Sequence, residues 1–181
     1  MDTGQVAALV VAAVLVFWML GAYNRLVALR SAIGVAWTKV EQAQRERGET
    51  VAPLVTALRE PLAAEHAALD ALLAAQQQSV QATLVLAART VAAGAAVQWV
   101  AAEGALTAAA SRVFALLDQH AELRAQEPVS SLVAAWRALE PRLAFRRQSF
   151  NEAAFSYNAA LEQFPTRLLV RLFGFARAGR I

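Results

Sequence analysis

Between Thr3 and Asn24 the chain carries no charge, and from Val6 to Ala22 every residue is apolar. At about 1.5 Å of rise per residue that run spans roughly 25 Å as a helix. Its flanks extend it to the ~30 Å of a hydrocarbon layer. Trp18 and Tyr23 sit near its end, where amphipathic rings favour the headgroup level. The pattern then changes without a breaker. Leu26, Leu29, Ile33, Trp37 and Val40 recur at spacings of three and four, the stripe of an amphipathic helix. One rod is therefore predicted from the membrane segment to "RERGET", with Gly48 as its end.

A second helix is expected from Thr50 or Val51, tolerating Pro53 in its first turn and broken or kinked at Pro61. From Leu62 to about Ala102 the composition is alanine-rich and reads as continuous helix. The uncharged stretch between Arg89 and Glu103 is too short for a second crossing. A third helix is predicted over Leu106–Arg124, ending before Pro128. In the fourth, Leu143, Phe150, Tyr157 and Phe164 lie seven apart, and Ala154, Leu161 and Leu168 form a parallel row. Sustained heptads describe a coiled-coil-like seam, which Pro165 ends or bends.

These elements predict an all-α protein: an N-terminal transmembrane helix continuing into an antiparallel four-helix bundle with long helices. The expected divisions are an anchor over 1–24, a helical bundle over 25–165 and a basic, apolar tail over 166–181. In that topology helix 4 returns to the membrane end. It brings Arg167, Arg171, Phe173 and Phe175 to the bilayer as an interfacial tail.

Composition sharpens this picture in three ways. A hydrophobic fraction of 58% with only 17% charged residues suits membrane segment plus alanine-rich helix. The absence of cysteine removes disulfides, thiol catalysis and a lipidated cysteine. The net charge of +3 offers no dense basic stripe, so no nucleic-acid partner is expected. A secretory signal fits poorly, because Asp2 stands where a basic n-region belongs and "LGA" before Tyr23 is a weak cleavage site. Arg25, Arg30 and Lys39 follow the anchor, so the N-terminus is expected outside and the body in the cytoplasm.

The search for chemistry returns little. Glu65–His66 lacks the second histidine of a metalloprotease helix. There is no Gly-rich phosphate loop, and spacing suggests no Ser-His-Asp arrangement. No catalytic residue, cofactor or metal is assigned, and an enzyme is not expected. The polar residues that stand out are the three asparagines, Asn24, Asn151 and Asn158, each following an aromatic. They read either as an interhelical hydrogen-bond layer that fixes register, with Asn158 facing Asn24, or as surface residues beside buried rings. The seam is expected to comprise Tyr23, Asn24, Leu26, Trp37, Phe150, Asn151, Tyr157, Asn158 and Phe164.

Several blocks resemble one family. "YNRLVALRSAIGVAW" (Tyr23–Trp37) is similar to the opening motif of the LemA family. "ERGETVAPLV" (Glu46–Val55) resembles its next block, with Arg47 and Leu54–Val55 in place, and Glu65 falls where the family has a glutamate. "HAELRA" (His120–Ala125) looks like a Tyr-Pro-Asp-Leu-Lys-Ala block. The stretch Phe145–Phe175, with both aromatic–Asn pairs and Phe164–Pro165, resembles the C-terminal signature. Pro53 is displaced by one place, His120–Ala121 replaces Tyr-Pro, and Pro61 is unusual. The resemblance implies a membrane-anchored helical protein of bacteria without an established enzymatic activity, often encoded near membrane proteases or other envelope proteins.

The resulting expectation is a single-pass protein of the bacterial inner membrane, with the bilayer and copies of itself as partners. It would act as a self-associating scaffold; the alternative is an adaptor for a membrane protease or transporter.

Overall fold

The stripe that starts at Leu26 divides the first helix into two unlike parts. In the computed structural model α1 runs unbroken over Thr3–Gly48. None of its residues before Leu26 is buried, and Val6 to Leu20 present their apolar side chains outward. Beyond that point Leu26, Ile33, Trp37, Val40, Gln44 and Arg47 are buried along one face. The model describes every residue but Met1 and Pro165, and the backbone alone for Leu168, Leu169, Arg171 and Leu172. Among the described residues the regular structure is entirely helical.

Gly48 closes α1 beside the Gln76 side chain. Thr50 then donates its hydroxyl to the Arg47 carbonyl (2.7 Å), and α2 spans Val51–Leu58 with Pro53 in its first turn. A turn through Pro61 and a short 3-10 segment over Ala63–Glu65 lead into α3, His66–Ala88. Then comes α4, Ala93–Gln119, followed by a single short helix α5, Ala121–Ala125. The long α6 covers Val129–Glu162 and α7 covers Thr166–Phe173.

One expected boundary is corrected. The stretch Leu62–Ala102 is not one helix: it reverses at Arg89–Ala92, so α4 starts well before Leu106. The reversal lies in alanine-rich sequence with no proline, and Gly94 falls inside α4 rather than in the turn. Burial of Leu86 below the turn and of Ala95, Ala96 and Trp99 above it selects the bend, which local propensity does not signal. Pro141 sits within α6, where its missing N–H leaves one helical bond unmade.

Residue contacts give the directions. Along α1 and α6, Trp37 meets Phe150 and Arg47 meets Glu140, and Trp18 meets Phe164 just beyond the end of α6; the two helices run in opposite senses. Along α3 and α4, Thr83 bonds Trp99 and Ser79 bonds Glu103, again in opposite senses. The buried side chains form two separate clusters. One gathers the half of the body nearer the apolar start of α1 around Trp37, Trp99, Phe150 and Tyr157. The other gathers the distal half around Leu54, Leu69, Leu106, Val113 and Trp136.

Trp99 is the keystone of the first cluster: fully buried, edge-on to Trp37 at 5.7 Å, its indole N–H donating to Thr83 Oγ1 at 3.1 Å. Trp99→Ala should lower unfolding free energy by about 3–5 kcal/mol. Phe155→Ala, at a site 70% exposed, should change it by no more than about 0.5 kcal/mol. Denaturant unfolding of the full chain in detergent measures both; equal effects would contradict this packing.

Candidate functional site

Each long helix carries polar residues on its buried side at one shared level. Beyond Ala43 on α1 stand Gln44 and Arg47; between Ala75 and Leu86 on α3 stand Ser79 and, one turn on, Thr83. Between Trp99 and Leu106 on α4 stands Glu103, and between Trp136 and Leu143 on α6 stands Glu140. The directions of the helices bring these residues together. Arg47 is 1% exposed and Glu103 4% exposed, and the guanidinium donates to the Glu103 carboxylate. A second N–H of Arg47 reaches Glu140 at 3.0 Å. The Arg47 plane lies 4.8 Å over the Trp136 ring. Ser79 donates to Glu103 Oε1 at 2.7 Å, and the Gln44 amide donates to both Ser79 and Glu103.

A carboxylate taken from water into an apolar interior costs several kcal/mol unless paired and hydrogen-bonded. Here Glu103 accepts from a guanidinium, an amide and a hydroxyl, drawn from α1 and α3. Those donors can be supplied only in one register. The chemistry of the set is therefore that of a positional lock. Among the described residues no three His, Asp or Glu side chains are grouped as metal ligands.

The asparagines of α6 take a different partner from the one expected. Asn24 is exposed, whereas Asn158 bonds both the N–H and the C=O of Ala178 (2.8 and 2.9 Å). Asn151 does the same to Ile181 (2.8 and 2.6 Å). The layer thus joins α6 to the C-terminal segment instead of joining α6 to α1. A side-chain amide can mimic a strand, donating and accepting at once, and a neighbouring backbone satisfies it better than a distant side chain.

The remaining seam residues divide by environment. Leu26, Trp37, Phe150 and Tyr157 are buried together in the first cluster. Burial pushes the Tyr157 phenol above its ordinary value, the Arg30 charge opposing. Phe164 is 77% exposed and packs on Trp18 at 5.8 Å. Tyr23 meets Phe173 at 5.1 Å and Phe175 at 5.9 Å. Arg167 is exposed, while the Pro165 and Arg171 readings fall outside the described residues and side chains. Gln44, Ser79 and Glu103 were not singled out from sequence. The available signal was Glu103, the one charged residue between Arg89 and Arg112.

Residues 36–180 match the family model described as LemA family. The chain belongs to the LemA family. The matched range contains the polar layer, both asparagines and Ala178, and stops one residue short of Ile181. Similarity extends to the Magnetosome proteins MamQ 1 and MamQ 2 of Paramagnetospirillum magneticum, each 29% identical over 77 residues. Magnetosome protein MamQ of Magnetospirillum gryphiswaldense is 28% identical over 76 residues. Each alignment takes in 42% of this LemA family chain and 28% of the relative, so the chain matches little more than a quarter of those proteins' length.

Glu103→Gln leaves Arg47 buried with a weakened partner and should cost about 3–5 kcal/mol. Glu140→Gln, at the 41%-exposed partner, should cost less than about 1 kcal/mol. Replacing both members of the buried pair, as Arg47→Met with Glu103→Leu, should recover most of the loss. Denaturant midpoints decide: a Glu103→Gln no costlier than Glu140→Gln would refute the lock.

Proposed function

We propose that this LemA family member is a single-pass, membrane-anchored and non-enzymatic scaffold of the bacterial envelope that associates with copies of itself. The observation that carries the reading is the exposed start of α1. Its most apolar 18-residue window has mean hydropathy 2.4 and no buried residue. Leaving such a surface in water is costly at roughly 25 cal/mol per Å², and a bilayer removes that cost. The charge that follows, Arg25 and Arg30, supports an outside N-terminus and a cytoplasmic body at the inner membrane.

The body is read as an antiparallel four-helix bundle of α1, α3, α4 and α6. Self-association is supported by outward apolar side chains on several of these helices: Val35 on α1, Leu84 on α3, Val97 on α4 and Phe155 on α6. The similar magnetosome proteins carry no reaction in their names, which agrees with a structural role. A second reading, an adaptor for a membrane protease or transporter, is favoured by one surface groove of about 600 Å³. Lys39, Arg142 and Arg146 surround it with Phe145, a basic and apolar face suited to a protein partner.

Light scattering on the full-length protein in mild detergent, after subtraction of bound detergent, tests the reading. A discrete multiple of 19.4 kDa is expected. A monomer would contradict the scaffold and favour the adaptor.

A further inference from the structure

Beyond Phe173 the chain leaves helical geometry. Gly174 takes φ +66, the left-handed conformation glycine adopts at helix ends, and residues 175–181 return along α6 without forming helix. The two clamps holding this segment share one dimension. Asn151 and Asn158 are two helical turns apart, about 10.5 Å. Ala178 and Ile181 are three residues apart, about 10 Å in an extended chain. All four clamp bonds go to main-chain atoms. The opposite wall is the first turn of α4. A Cβ on Gly179 would stand 2.6 Å from Ala96 Cβ and 2.8 Å from Ala93 Cα. Ala178 and Ile181 are buried in the cluster around Trp37 and Trp99, while Arg180 faces solvent.

We infer that α6 and the start of α4 form a peptide slot that accepts the 175–181 segment of a second copy of this chain in exchange for its own. The slot reads main chain through two asparagines and selects a small residue, a glycine, any residue and a large aliphatic. A neighbouring copy offers that pattern in an identical segment, so exchange preserves every bond and alters only the path through the Gly174 hinge. Anchoring in one bilayer sets the slots and tails of adjacent copies at the same height, which raises their effective concentration. The inference rests on the self-association reading and supplies its interface.

Two full-length variants with different tags separate tail from slot. Gly179→Leu has a defective tail and an intact slot; the pair Asn151→Ala with Asn158→Ala has the reverse. Each alone should lose mass relative to wild type in mild detergent. Mixed, they should form a complex containing both, recovered through either tag. A fluorescent peptide of residues 174–181 should bind saturably to Gly179→Leu. It should bind roughly tenfold or more weakly to wild type, whose slot is filled, and not at all when both asparagines are also replaced. The comparison of Gly179→Leu with wild type does not require an asparagine variant to fold, and the arm that replaces both asparagines is read only where circular dichroism matches Gly179→Leu. If wild type assembles but both variants assemble equally well, or the mixture forms no mixed complex, exchange is overturned and the scaffold reading stands on another interface. A monomeric wild type overturns both. Peptide binding that ignores the asparagines overturns the slot.

Discussion

The register of the long helices depends on one buried ion pair. Arg47 and Glu103 lie at the level where the apolar stripes of all the long helices are interrupted, and they draw in Ser79, Gln44 and Glu140. The closest packing is within pairs, α1 along α6 and α3 along α4. The ion pair crosses between them, because Arg47 belongs to the first pair and Glu103 to the second. Apolar contacts alone tolerate sliding, since one methyl group packs much like another. A buried guanidinium and carboxylate do not, because displacement by one helical turn would leave both charges unpaired.

The same logic recurs at the other polar contact. Asn151 and Asn158 interrupt the seam of α6 and are satisfied by backbone of the segment 178–181. Gly179 then fits against α4 where no larger residue has room. The cluster around Trp37 and Trp99 is thus closed by the tail, and α7 rests on the part of α1 that leads out of the apolar segment. Within the tail, Phe173 lies beside Tyr23, while Ala178 and Ile181 turn into the core.

Much of this was legible from spacing. Leu26, Ile33 and Trp37 predicted the buried face of α1, and Leu143, Phe150 and Tyr157 that of α6, because wide apolar side chains at helical spacing leave few alternatives. Gly48 and Pro128 marked turns by their chemistry. The reversal at Arg89–Ala92 was not legible, since alanine-rich sequence favours helix on both sides and only tertiary burial bends it. The asparagine partners were not legible either: periodicity shows which face a side chain occupies, but a main-chain partner leaves no sequence mark. Glu103 was visible as an isolated charge, yet its partner lay 56 residues away.

The central claim, that one polar layer makes a single unit of two helix pairs, is tested most directly by native-state hydrogen exchange on the wild-type chain in detergent. Amides around Arg47, Ser79, Glu103 and Glu140 should share one opening free energy across a denaturant series and exchange together. A lower, separate opening free energy for α3 and α4, with α1 and α6 still protected, would contradict it.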